Sequence, residues 1–307
     1  MSRARWRNQI DPPVVLGTAL LLTAVVSASS IGAAAAGPLP VGCPPVAEIT
    51  QAAARQIPVD AQPPSVSADL TAAGEFTGQT LSLATQLGPR SIGLPAESFV
   101  GRPVGELVVY TSYTPARGSA VRLVDLATGC DVLAASPAEI VRSAVVSPDG
   151  GQVYVHSVTR AGRRDNGVQR VELATGASEL VVPPLPPSDE FGPTFATELR
   201  WSLNGSHLAV QSCSFEACRT RVLAVADGGL ATFDAPGQGA LVGLTDSHLV
   251  TFAACPGLPC AVLSIDLASG QTAVLAEVAW SAALESGPGG SGAVTIETAA
   301  GTTEVTQ

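Results

Sequence analysis

Lysine is absent from this chain of 307 residues; its 16 basic residues are all Arg, against 26 Asp and Glu. A net charge of −10 argues against nucleic acid and anionic membranes as partners, because both carry charge of the same sign. Aromatic residues are few, with three Trp and three Tyr, which leaves little from which to build a sugar-stacking platform for a glycosidase. Histidine occurs only as His156, His207 and His248, and no G-x-S-x-G elbow is present to carry a serine nucleophile. No catalytic or cofactor motif stands out, so neither a cofactor nor a metal is expected. The abundant residues are Ala, Gly and Pro, with Arg in place of Lys, the composition of a GC-rich bacterial genome.

What is present is organised around Ile140 to Val182. IVRSAVV and QVYVHSV are β-branched and alternate enough to sit on a pleated surface. Between them, Ser147-Pro148-Asp149-Gly150-Gly151 supplies a Pro to pre-set φ, an Asp to accept backbone N–H groups, and Gly for positive φ. GVQRVE, the reversal Leu173-Ala174-Thr175-Gly176 and SELVV complete four strands. Such a unit cannot stand alone and must stack on copies of itself.

The copies are in the sequence. Val121 to Gly129 (VRLVDLATG) matches Val168 to Gly176, Val262 to Gly270 repeats it as VLSIDLASG, and Arg221 to Gly229 is a worn version. The Ser147–Gly151 turn returns as Ser202-Leu203-Asn204-Gly205-Ser206 and, shorter, as Thr245-Asp246-Ser247. Spacings of about 40–50 residues with four strands each predict the blades of a β-propeller. The pattern resembles the WD-repeat-like propellers of the TolB type, with their SPDG turn followed by an apolar strand, over roughly residues 99 to 300. The resemblance implies a fold and not an activity. Counting strand-like pieces gives 21 or 22, between five blades and six, and the resemblance favours six. Both chain ends supply part of a blade, which predicts closure of the ring by shared strands.

Ahead of the propeller, Arg3, Arg5 and Arg7 precede an uncharged apolar run from Val14 to Val26, then small residues with Ala33 to Ala36 offering an A-x-A cleavage site. This is the layout of a secretory signal peptide, with an uncleaved anchor over Val14 to Ala36 as the alternative. Cleavage would remove three Arg and one Asp and move the net charge from −10 to −12. The expected organisation is a leader over 1–36, a Pro-rich linker with a short helix near 44–57 over 37–65, and the propeller over 66–307. The chain outside the leader is expected to be extracytoplasmic, secreted or associated with the cell envelope.

Six cysteines in an exported chain predict disulfides. Cys213 and Cys218, and Cys255 and Cys260, each bracket four residues of a hairpin loop, within bonding reach. That leaves Cys43 for Cys130. A Cys-x4-Cys spacing on separate blades does not suit zinc.

In a four-strand meander, the first-to-second and third-to-fourth turns share one face; the second-to-third loops and blade connections share the other. The first set is short and repetitive, and its acids Asp125, Glu172, Asp266 and Asp149 read as turn stabilisers. His207 and His248 occupy one repeat position, and His156 reads as a packed strand residue. The second set varies, and function on scaffolds concentrates in variable loops. The candidate binding residues there are Arg117, Arg160, Arg163, Arg164, Asp189, Glu190, Phe191 and Phe195. Asp165-Asn166-Gly167 reads as the turn of a solvated hairpin tip. The function expected is a monomeric, non-catalytic scaffold for a protein or envelope ligand. The alternative is a glycoside or ester hydrolase with its site in the central funnel.

Overall fold

Each β-branched run identified above forms a strand, and each tight turn joins two of them. The structure, a computed structural model, describes residues 43, 65–70, 76–85, 88–95, 98–101, 103–161, 164–185, 196–214, 218–226, 228–233, 238–253, 259–286 and 292–306. The leader, the helix expected near 44–57 and the linker lie outside them. Among the described residues every element is a strand, and the fold is a six-bladed β-propeller of antiparallel meanders.

Blade 1 holds β1 (Ser65–Leu70), β2 (Phe76–Thr85) and β3 (Gly88–Pro95). Blade 2 holds β4 (Leu107–Thr114), β5 (Gly118–Asp125) and β6 (Asp131–Ala135). Three complete blades follow. Blade 3 has β7 (Ile140–Val146), β8 (Gln152–Val158), β9 (Asp165–Glu172) and β10 (Ser178–Val182). Blade 4 has β11 (Ala196–Trp201), β12 (His207–Cys213), β13 (Cys218–Ala224) and β14 (Leu230–Phe233). Blade 5 has β15 (Gln238–Leu244), β16 (His248–Ala253), β17 (Cys260–Asp266) and β18 (Thr272–Ala279). Blade 6 has β19 (Ser281–Ser286), β20 (Gly292–Thr298) and β21 (Gly301–Thr306).

Blade 2 has an irregular first strand. Thr111 N donates to Phe99 O and Gly101 N to Val109 O, both at 2.8 Å, and single bridges join Val100 to Tyr110 and Val104 to Leu107. Pro103 lacks the N–H that a regular ladder would need. The expected closure by shared strands is not what the structure shows. Among the described residues β1 pairs with β2 and β21 with β20, so each end sheet is built from consecutive strands. Short hairpin connections make that local pairing the cheaper one in chain entropy.

The core is divided between blades. Five apolar clusters each fill the space between two successive sheets, from Leu81 and Leu94 against Val108 and Val124 through to Val250 and Val262 against Val294 and Ile296. Strands flanked on both sides are therefore buried on both faces. On β8, Val153 and Val155 face blade 2 while Tyr154 faces blade 4 and meets Trp201 edge-on, with ring centroids 5.1 Å apart. This departs from the half-buried strand that alternation suggests.

Buried polar side chains stitch the same interfaces. Ser119 Oγ accepts from Val141 N at 2.9 Å, Ser143 Oγ from Leu199 N at 3.1 Å, and Gln211 Oε1 from Leu241 N at 3.0 Å. In each pair a side chain of one blade satisfies the first strand of the next. Trp201 Nε1 returns the bond from blade 4 to Val146 O at 2.7 Å. Between blades 1 and 2, Asp131 accepts from Tyr110 Oη at 2.8 Å and Arg122 Nε at 2.7 Å, and Arg90 reaches it from β3. Burial, then the Asp131 charge, push the Tyr110 hydroxyl far above its ordinary pKa.

Candidate functional site

The two faces of the propeller are built differently. On the turn face, the residue after each third strand donates its N–H to the turn between the first two strands. The pairs are Leu126 to Glu106, Leu173 to Gly151, Val225 to Ser206 and Leu267 to Ser247, all between 2.8 and 3.0 Å. The turns are closed from within as well. Asp125 Oδ1 accepts from Ala127 N, Asp149 Oδ1 from Gly151 N, Asn204 Oδ1 from Ser206 N, and Asp266 Oδ1 from Ser269 N. Glu172 departs from the expected role, because its carboxylate takes the Gln152 side-chain amide at 2.5 Å instead of a turn N–H. His207 and His248 do occupy one repeat position, each with Nδ1 against the preceding serine hydroxyl at 2.7 and 2.9 Å.

Of the candidate binding residues on the loop face, Arg117, Arg160 and Arg164 are described and exposed. Arg163, Asp189, Glu190, Phe191 and Phe195 lie outside the described residues. Arg160 is tied down: its guanidinium donates to Ala138 O at 2.7 and 3.1 Å and to Pro115 O at 2.9 Å. It also lies 5.8 Å from the centre of the Tyr113 ring. The side chain thereby bridges the β8–β9 loop of blade 3 to the β4–β5 hairpin of blade 2. The 160–164 loop is closed beneath it by Thr159 N to Arg164 O at 2.9 Å and Arg164 N to Thr159 Oγ1 at 3.1 Å.

Disulfides fasten both faces, the Cys213–Cys218 bond at the β12–β13 loop and the Cys43–Cys130 bond at the turn between β5 and β6. Cys213 and Cys218 are directly opposed on β12 and β13 and are bonded, Cys43 is bonded to Cys130, and Cys260 is disulfide-bonded to a residue outside those described. Cys255 lies outside the described residues.

Asp165 is not part of a solvated turn. It is the first residue of β9, and its carboxylate, 3% exposed, is held by four donors. His156 Nε2 lies 2.5 Å from Oδ1 and Gly167 N 2.8 Å from it, while Leu185 N and an Arg221 guanidinium nitrogen lie 2.8 and 2.9 Å from Oδ2. Arg221 also donates to Pro183 O. The result is a His–Asp–Arg cluster sealed between blades 3 and 4, with His156 completely buried. Burial alone pushes the Asp165 carboxyl up, but the His156 hydrogen bond, the His156 and Arg221 charges and the Gly167 N–H outweigh it and hold the carboxyl well below the usual range. An acid beside a histidine is what a hydrolase would call for, yet this pair binds the connection leaving blade 3 and lies outside the funnel. Sequence reading identified His156 as packed but missed that Asp165 joins it to Arg221, which lies 56 residues beyond the aspartate along the chain.

Along the ring axis, the first strands of five blades converge near the turn face. Val104, Val145, Leu199, Arg200, Trp201, Leu203, Leu244 and Leu284 are among the residues that line a small cavity of about 50 Å³. Among the described residues, the lining holds no carboxylate and is mostly apolar, with Arg200, which pairs with Glu198 at 3.1 Å, as a charged member. Gly243 lets it close, since a Cβ there would meet Leu284 at 2.5 Å.

No protein-family model and no curated protein matches the chain. Solved structures do. TolB from Acinetobacter baumannii is 16% identical, with a TM-score of 0.47 over 75% of this chain and 60% of that one. A prolyl endopeptidase is 13% identical, with a TM-score of 0.46 over 85% of this chain and 43% of that one. Hydrazine synthase from Kuenenia stuttgartiensis is 12% identical, with a TM-score of 0.48 over 76% and 87%. The chain spans less than two thirds of the length of each of the first two.

Proposed function

We infer that this chain is an exported, non-catalytic propeller that binds a protein or cell-envelope ligand on its loop face. The carrying observation is the asymmetry of the two faces. Turn-face polar groups are spent on one another, and the small cavity where the first strands converge is lined mainly by Val, Leu and Trp, with Arg200 beside them. Among the described residues, the loop face is anchored by Arg160 on the β4–β5 hairpin, by the Cys213–Cys218 bond and by the Asp165 cluster on Leu185. Pre-organised loops lose less entropy when a partner docks. Disulfides at three described positions support an oxidising compartment, in keeping with the leader-like segment over 1–36. The domain is proposed to act as a monomer over residues 66–307.

The test is capture of partners from envelope extracts by the purified chain, followed by hydrogen-exchange footprinting of the complex. Protection is expected in the β4–β5 and β8–β9 loops and at residues 183–185. A footprint over Ser147–Gly151 and Leu173–Gly176 would overturn the assignment of faces. A hydrolase is the second reading, and release of product from ester or glycoside substrates by the purified chain would establish it.

A further inference from the structure

We propose that the loop face carries a docking surface for an acidic polypeptide segment, formed by Arg117, Arg160 and Arg164 across blades 2 and 3. The inference rests on the loop-face reading above and names the chemistry of the partner. Arg117 stands at the tip of the β4–β5 hairpin, where its N–H closes the turn to Thr114 O at 3.2 Å. Arg160 reaches that same tip from the neighbouring blade, on Pro115 O and beside the Tyr113 ring. Arg164 closes the other end of the Arg160 loop. Three guanidinium groups on exposed residues are thus strung across one inter-blade boundary of a chain whose net charge is −10. A carboxylate also at this boundary, Glu139, accepts from Arg160 N at 3.3 Å.

The form of the patch selects the occupant. A single phosphate is gripped where donors converge on one point, whereas these are spread over two hairpins. Spread guanidinium groups suit carboxylates spaced along an extended chain. Arg160 keeps N–H groups for such a chain, since its guanidinium has five and its three carbonyl bonds leave two. Its fixed position also removes most of the rotamer entropy that an exposed Arg loses on binding. Elsewhere the acidic surface repels the same segment, so attraction here fixes where and in which register it lands.

The probe is a fluorescein-labelled peptide of eight glutamates, titrated with the full chain and followed by anisotropy. Saturable binding is expected, weakening steeply as salt is raised. Arg117→Ala with Arg164→Ala should weaken it about five- to tenfold, as loss of two rim charges does, with an unchanged thermal midpoint. Charge reversal at both positions should abolish it. No saturable binding, equal binding by the double variant, or stronger competition from inorganic phosphate or phosphatidylglycerol vesicles than from unlabelled peptide would each overturn the proposal. An envelope partner captured equally by wild type and double variant defeats this inference and leaves the loop-face reading standing. Peptide binding with a partner footprint on the turn face does the reverse.

Discussion

The Asp165 carboxylate takes its donors from β8, from its own strand, from the connection after β10 and from β13, so its charge is matched from two blades. Its pKa is lower folded than unfolded, so its stabilisation is present at neutral pH and begins to fall only below about pH 4. Asp165→Asn removes the buried carboxylate that faces His156 and Arg221 and should cost about 3–5 kcal/mol at pH 7. The gap to wild type in urea midpoints should narrow as the pH drops below about 4; a gap unchanged at pH 2.5 would show that the charge is not what was lost. Gly167 is next to it, at φ +78°, and a Cβ there would lie 2.1 Å from Val182 O. Gly167→Ala should therefore destabilise by about 2–4 kcal/mol, from strain and overlap together. Gly176, at φ +71° with open space around it, should lose only about 1 kcal/mol on the same change. Comparing the two by denaturant titration separates backbone strain from collision. None of this was legible at Asp165-Asn166-Gly167, which carries every local mark of a turn. The register that buries the aspartate is set by Arg221 and Leu185, which lie far along the chain or in an irregular connection.

Turns and strands, by contrast, were legible because their causes are local. Asp149 and Asp125 sit where their carboxylates meet N–H groups two residues on, and the sequence shows that spacing directly. Asp125→Ala removes bonds to Ala127 N and Thr128 Oγ1 and should cost about 1 kcal/mol without changing partner affinity. Hairpin cysteines were legible for the same reason, since four intervening residues place Cys213 opposite Cys218. The two described bonds differ in reach, with separations of 5 and 87 residues. Chain entropy then makes the Cys43–Cys130 bond worth about 2–3 kcal/mol more than the hairpin bond. Paired Cys→Ser variants at each site, unfolded in urea, check the order. A larger loss from the hairpin pair would mean that its native geometry, and not loop closure, carries the effect. What the strand pattern concealed was burial on both faces: β8 looks like a half-buried strand because Ser and His interrupt its apolar run. Those two polar residues are buried by inter-blade stacking.

At the scale of the whole molecule, the repeat spacing announced a ring of blades but not how its ends meet. Each of blades 2 to 5 is clamped between two neighbours, while among the described residues blade 6 shares an apolar cluster with blade 5 alone. The stitching is uneven too. Blades 3 and 4 are joined by the Ser143, Trp201 and Asp165–Arg221 bonds, whereas the cluster between blades 5 and 6 is apolar. Local stability follows the density of buried contacts, so opening should begin where neighbours are fewest. Amides of β8 and β12, buried along most of their length, should exchange with the free energy of global unfolding. Those of β21, exposed along nearly its whole length, should exchange by sub-global opening several kcal/mol below it, on the order of the spread seen within single domains. Native-state exchange across a range of urea concentrations distinguishes the two, because global opening is urea-dependent and local fraying is not. If β20 and β21 proved as protected as β8, blade 6 would have to be held on its second side as well, and blade 1 is the neighbour that a closed ring provides.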